Sequence, residues 1–150
     1  MKTLTIIQPW ATLIAIGAKR YETRSWRPPE TLIWQRIGIH AGKVREPSVD
    51  MPTARQIGSA LGIDGLWGGW PWPDLPRGAL IATAVLAGVQ RTGHLLDMGL
   101  VSDQERLLGD WSPDRWAWVL TRVRQLPEPI PMPGQQRLWN LKVEVEIHAD

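Results

Sequence analysis

The sequence predicts a single α+β domain over residues 1–150, built on a closed or partly closed mixed sheet of about six strands with a few short helices. Three observations lead there. Short β-branched or alternating apolar segments recur along the whole chain. The 14 Gly and 13 Pro interrupt them at close intervals, so most elements are expected to be short. The helical stretches between the strands are few and short, and no internal repeat or linker divides the chain.

Thr3–Ile7 alternates weakly and predicts a first strand. Pro9 at a first helical position, followed by TLIAIG, predicts a short helix ended by Gly17. Tyr21–Ser25 reads as a strand, and Pro28-Pro29 as a loop. Gln35–His40 is a further strand that Gly42 breaks. Thr53–Leu61 has helical character. GLWGGWPWPDLP, Gly65–Pro76, holds too many Gly and Pro for regular structure. Gly78–Val89 reads as a long strand by its β-branched content and glycine borders, with a helix as the alternative. Ser102–Leu108 predicts a helix with Ser102 and Glu105 forming a capping box. Trp116–Val123 is a strand, Pro127–Pro133 a rigid extended loop, Gln136–Leu141 one helical turn, and Lys142–Ile147 a cleanly alternating last strand.

Composition narrows the function classes. No apolar run reaches about 18 residues, so no membrane-spanning helix is expected. With no cysteine there is neither a disulfide framework nor a thiolate metal site, which points to an intracellular, cytoplasmic protein. His40, His94 and His148 stand far apart with no ligand spacing between them, so no metal is expected, and no phosphate-loop or dinucleotide fingerprint is present to imply a cofactor. The net charge is only +2, but residues 1–55 carry 9 Lys+Arg against 4 Asp+Glu, whereas residues 56–150 carry 8 against 11. A basic first third points to a local anionic partner. Arg outnumbers Lys 13 to 4, which favours forked and stacking contacts. The 10 Trp, with one Tyr and no Phe, divide between core and candidate base-stacking rings.

The densest cluster is GAKRYETRSW, Gly17–Trp26. Period-two alternation places Glu22 and Arg24 on one strand face. Lys19 falls in the turn after Gly17, from which it can swing to the same side. The arrangement is either a surface ion pair of little energetic weight or a built anion site. His40 and Lys43 leave a strand beside Gly42, where a backbone can approach a ligand. Trp10, Trp26, Trp116 and Trp118 are candidate stacking rings. Alternation puts Trp116 and Trp118 on one face, as in a core stripe, with Arg115 opposite. Gln135, Gln136 and Arg137 suit base edges or a helix cap, and Trp67, Trp70 and Trp72 suit a loop closing over single-stranded RNA or packing on its own core.

Gly17-x-Lys19-x-x-Glu22-x-Arg24 resembles the GxKxxExR signature of the ASCH domain family. Ile7-Gln8-Pro9-Trp10-Ala11, Gly38-Ile39-His40-Ala41-Gly42-Lys43, Ser112–Trp118 and Pro129-Ile130-Pro131…Gly134…Leu138-Trp139 resemble further family blocks in the expected order. The resemblance implies a PUA-like mixed β-barrel with a cleft beside the signature, binding RNA, single-stranded RNA in particular, or a modified nucleotide. Lys19, Arg24, Trp26, His40, Lys43 and Trp10 are the expected binding residues. The alternative is a hydrolase, with Lys19 and Glu22 as the catalytic candidates. Family members that deacetylate acetylated cytidine carry their reactive lysine at the position of Lys19, but their threonine nucleophile falls where this chain has Glu22. A ribonuclease is the other enzymatic option, with Glu22 or His40 as base, Lys43 as acid, and Lys19 with Arg24 as phosphate clamps. A protein-interaction module is a third reading, because exposed Trp also marks protein interfaces.

Overall fold

Alternation along the first strand sends Leu4 and Ile6 to the core and Thr3 and Thr5 to the other face. The same logic organises the rest of the sheet. The computed structural model describes residues 1–44, 47–63, 65, 67–72 and 74–142. Its strands are β1 (Lys2–Ile6), β2 (Tyr21–Arg24), β3 (Arg36–Ala41), β4 (Ala79–Arg91), β5 (Trp116–Pro131) and β6 (Leu138–Asn140). They form one curled sheet in the order β2-β5-β4-β3-β1-β6, a half-barrel of α+β, PUA-like type. β1 and β3 run parallel, and every other neighbouring pair is antiparallel. Among the described residues no helix is long and apolar enough to cross a membrane.

Helix α1 (Trp10–Ala15) is buried from Ala11 to Ala15 and separates two cores. Ile14, with Ala11 and Ala15, joins Leu4, Ile37, Ile39, Leu86 and Trp118 under the sheet. Leu13 points the other way, to Ile57, Trp72 and Leu108. Pro9 precedes the helix as its N-cap and has no side chain to offer the free N–H groups of the first turn. Gln8 does that work: its side-chain oxygen accepts from the Thr12 N–H at 3.0 Å, and its amide donates to Thr12 Oγ1 at 2.7 Å and to the Pro76 carbonyl at 2.8 Å.

Helix α2 (Met51–Leu61) begins two residues before the predicted start, because Asp50 caps it by accepting from the Thr53 N–H at 2.8 Å. The Gly- and Pro-rich segment after it is irregular, as expected, and packs on its own core. Gly68 lies so close to α2 that a side-chain carbon on Gly58 would sit 2.6 Å from the Gly68 carbonyl oxygen. That contact seats Trp72, 1% exposed, whose Nε1 donates to the same Gly68 carbonyl at 2.9 Å. Helix α3 (Thr92–Asp97), which the sequence pattern did not reveal, follows β4, and α4 (Asp103–Leu107) comes next. Ser102 Oγ accepts from the Glu105 N–H at 3.1 Å, one half of the capping box. The other half is not made, because the Glu105 carboxylate turns away to accept from the Arg20 N–H.

Two predicted elements are corrected. The expected loop Pro127–Pro133 is strand up to Pro131, the far end of the 16-residue β5. Beyond Val119 that strand has lost β2 and lies on β4 alone. Met132 N–H donates to Gly78 O at 3.0 Å, and the pairing with β4 shifts register between Gln125 and Ile130, so the prolines fall on an irregular strand edge where a missing N–H is tolerated. The expected helical turn Gln136–Leu141 is instead β6, drawn onto β1 by Trp139, whose Nε1 donates to Thr5 Oγ1 at 2.9 Å. The predicted strand Lys142–Ile147 and His148 lie outside the described residues, apart from Lys142.

Candidate nucleic-acid interface

Glu22 and Arg24 share a face of β2, as alternation requires, and stand opposite Trp118 and Trp116 of β5. Arg24 Nη2 donates to the Thr5 carbonyl at 3.0 Å and lies 3.6 Å from Glu22 Oε2. The guanidinium is therefore fixed from two sides at the wall of a cleft of about 820 Å3. Lys43 reaches the same cleft with its stem laid over Gly78, where a side-chain carbon would meet Lys43 Cγ at 2.9 Å. Trp10 forms part of the wall.

Two more cations, Arg115 and Arg137, line this cleft. Arg115 Nη2 donates to the Thr23 carbonyl at 3.0 Å, and Nε pairs with Asp110 at 3.4 Å, which holds the side chain at the cleft. Arg137 comes in on the loop from Pro133 to Arg137 and lies over the Trp26 ring, 4.2 Å from its centroid. Arg24, Lys43, Arg115 and Arg137 thus converge, and among the described lining residues Glu22 is the only carboxylate.

His40 also lines the cleft but is 1% exposed. Its Nε2 lies 2.8 Å from the Met132 carbonyl and its Nδ1 3.3 Å from Thr5 Oγ1. A carbonyl can only accept, so in the neutral ring Nε2 carries the hydrogen and Thr5 donates to Nδ1. Trp139 completes the chain through Thr5 and packs edge-on to the imidazole at 5.5 Å. Gly134 lies against this group: a side-chain carbon there would be 2.6 Å from His40 Nδ1 and 2.8 Å from Thr5 Oγ1. His40 therefore joins β1, β3 and the loop after β5, with both nitrogens engaged.

Lys19 lies elsewhere. Gly17 takes a left-handed φ of 83°, and the N–H groups of Ala18 and Lys19 both return to the Leu13 carbonyl. That turn points Lys19 into an adjoining cleft of about 490 Å3, which shares Trp10, Glu22 and Thr23 with the first. Lys19 is 2% exposed, and its Nζ has no hydrogen-bond partner among the described residues. Gly109 packs beside that nitrogen, close enough that a side-chain carbon would lie 3.0 Å away. Burial holds the amine below the usual lysine pKa, against the opposing pull of the Glu22 and Glu105 carboxylates. Burial pushes the Glu105 carboxyl up, opposed by its bond from Arg20 and by the charge of Lys19. Glu22 is the wall between a basic cleft and a buried lysine.

The remaining rings divide. Trp118 is fully buried, and its Nε1 donates to the Trp26 carbonyl at 3.3 Å. Trp26 meets it edge-on at 4.9 Å and does not line the basic cleft. Trp116 is half-buried, with Arg27 and Arg91 set 4.7 and 4.4 Å from its ring centre. Trp67 is 47% exposed, Trp70 is half-buried against the second core, and Trp72 is core. Among the described residues no group of three His, Asp or Glu side chains is placed to hold a metal ion.

Comparison with known proteins agrees with this architecture. The crystal structure of ASCH from Zymomonas mobilis superposes with a TM-score of 0.54 at 18% identity, over 94% of this chain and 87% of that one. A serine-to-alanine and a tyrosine-to-phenylalanine variant of the same protein each superpose with a TM-score of 0.53 at 18% identity, over 94% of this chain and 87% and 89% of theirs. At that identity the likeness is one of fold. No curated protein sequence matches the chain. The sequence pattern of the ASCH domain, however, matches residues 4–130, from the first core leucine of β1 to the end of β5, and with the half-barrel and the Gly17–Arg24 segment at its cleft this chain belongs to the ASCH domain family.

Proposed function

We propose that this protein binds RNA, in single-stranded form, or a modified nucleotide in the cleft between β2, Lys43 and the Pro133–Arg137 loop. The observation that carries the reading is the convergence of Arg24, Lys43, Arg115 and Arg137 on one concave surface whose only lining carboxylate among the described residues, Glu22, is itself paired with Arg24. Guanidinium forks suit phosphate oxygens, and Trp10 offers an indole face to a base. His40, with both nitrogens engaged, shapes the floor of the cleft. Single-stranded RNA affinity is expected to fall with rising salt by about 0.7 log units per log unit of salt for each phosphate contact, and Lys43→Ala to flatten that slope by roughly one contact across all sequences. Equal affinity at low and high salt would refute the reading.

One observation favours a second reading, a hydrolase acting on RNA or on a modified nucleoside. Lys19 is a buried, unpartnered amine with a depressed pKa, and Glu22 adjoins both it and the cleft. Such an amine can take a proton from an attacking water, whereas a phosphate clamp has to stay charged. Lys19→Arg keeps a charge but abolishes that proton transfer. Turnover of RNA or acetylcytidine by the wild type that Lys19→Arg eliminates is the expected result under this reading, and absence of turnover in the wild type leaves binding as the function.

A further inference from the structure

Outside the cleft, a second set of cations and rings lies on the same rung of the sheet. Arg24 of β2 pairs with Trp116 of β5, and Trp116 pairs with Arg91 of β4. Adjacent strands are about 4.8 Å apart, so the Arg24 and Arg91 backbones are separated by roughly 10 Å. Arg91 and Arg27 both lie over the Trp116 ring. Trp118, two residues along β5, meets Trp26 edge-on, and Arg137 covers Trp26 while lining the basic cleft. Cations over indoles therefore run from the cleft, through Arg137 and Trp26, to Trp116 with Arg27 and Arg91.

Beyond Trp116 the surface opens into a second depression of about 610 Å3, lined in part by Arg91, Gly93, His94, Asp97, Asp114 and Trp116. The two arginines over Trp116, of which Arg91 lines this depression, are lightly held. Arg91 is 3.8 Å from Asp114, whose side chain is 92% exposed, and Arg27 is 3.5 Å from Glu30, 87% exposed. Exposed ion pairs of this kind contribute little, so a phosphate can displace either carboxylate. Arg27 and Arg91 stand 4.7 and 4.4 Å from the same ring centre, so an anion beside that ring has two guanidinium groups within reach. Guanidinium planes and indoles accept any base by stacking, without reading its edge.

We propose that the row Arg137–Trp26–Trp116–Arg91–Arg27 is a track that carries a single RNA strand out of the cleft, so that the protein binds an oligonucleotide rather than an isolated nucleotide. This rests on the cleft reading and makes it more specific: the cleft holds one nucleotide, and the track holds its neighbours without sequence preference.

The test compares uridine monophosphate with oligouridylates of increasing length, on the wild type and on Arg27→Gln/Arg91→Gln, with circular dichroism confirming the fold of the variant. In the wild type, affinity rises with length until the track is filled. In the double variant that gain shrinks about tenfold or more and the salt slope falls by about 1.4, two single-strand phosphate contacts, while monophosphate binding is unchanged. If affinity is independent of length, or the double variant binds long and short ligands as the wild type does, the track is refuted and the cleft reading stands. If the wild type binds neither the monophosphate nor any oligouridylate, the cleft reading fails and the track fails with it.

Discussion

Lys19→Met should make this protein more stable while impairing whatever Lys19 does. The substitution keeps the length and most of the volume of the side chain, so it opens no cavity of consequence. It removes a nitrogen from a side chain that is 2% exposed, a nitrogen with no hydrogen-bond partner among the described residues. A buried unsatisfied polar group costs about 1–3 kcal/mol. The two nearby carboxylates do not reverse that sign. Burial outweighs the attraction of Glu22 and Glu105, so the charged amine is, on balance, worse off in the fold than in water. The cost also has a ceiling, because the lysine can surrender its proton: neutralising an amine of ordinary pKa 10.5 at pH 7 costs about 5 kcal/mol. A gain of about 1–3 kcal/mol corresponds to roughly 2–4 °C in Tm for each kcal/mol in a chain of this size.

The pH dependence gives an independent check. Lys19 has a folded-state pKa below its unfolded value of 10.5, so between the two the unfolded chain binds more protons and wild-type stability rises with pH. The advantage of Lys19→Met is therefore largest below the depressed pKa and shrinks as pH climbs toward 10.5. Glu105 contributes with the opposite sign: its carboxyl is raised above 4.5, so the stability it gives below 4.5 is lost as pH rises through its folded pKa. Because the charge of Lys19 is one of the influences holding Glu105 down, Lys19→Met extends that acidic loss to higher pH. Urea titrations of both proteins from about pH 4 to pH 10 measure these slopes. A variant that melts below the wild type at pH 7, or whose advantage grows toward alkaline pH, would show that Lys19 is a favourable structural cation.

Gly134→Ala should cost about 1–3 kcal/mol by overpacking, since the new methyl group falls against His40 and Thr5, both tied into one hydrogen-bonded chain, and it should weaken RNA binding by displacing the loop that carries Arg137. Thermal melts paired with a binding titration check both effects, and unchanged values for both would show that the loop yields without consequence. Trp72→Ala should cost about 3–5 kcal/mol, read as a shift of the urea midpoint, because it empties the second core and removes the bond to the Gly68 carbonyl; a loss below about 1 kcal/mol would mean that this loop does not support α2.

Local rules made most of the strands legible. Alternation located β1, β2 and β3 to within a residue or two, and it put Glu22 beside Arg24 because that relation needs only the period of a strand. It failed where the deciding contact was distant. Three prolines in five residues read as a loop, and they belong to a strand only because β2 begins at Tyr21, opposite Val119, and leaves that side of β5 unpaired beyond it. Gln136–Leu141 read as a helical turn because nothing local shows that Trp139 will bond to Thr5, 134 residues away. Alternation says only that Arg115 faces away from Trp116, and its presence in the cleft depends on the Thr23 carbonyl, 92 residues away.

Lys19 gives the sharpest separation between motif and geometry. Spacing alone groups Lys19, Glu22 and Arg24 around one spot, and a turn after Gly17 can send the lysine either way. The fold divides the group: Arg24 faces the open basic cleft, Lys19 faces the buried pocket under α4, and Glu22 stands between them. The dividing element is α4, whose Glu105 binds the backbone of Arg20 and whose following Gly109 closes over the amine. A charge used only to attract phosphate gains nothing from that burial, since desolvation weakens the charged form and the neighbouring carboxylates oppose an anion. An arginine in the open already does that task at position 24. A buried amine of lowered pKa, separated by one carboxylate from the basic cleft, is suited to moving a proton. The stability that Lys19→Met is expected to recover is then the cost the fold bears for keeping it there.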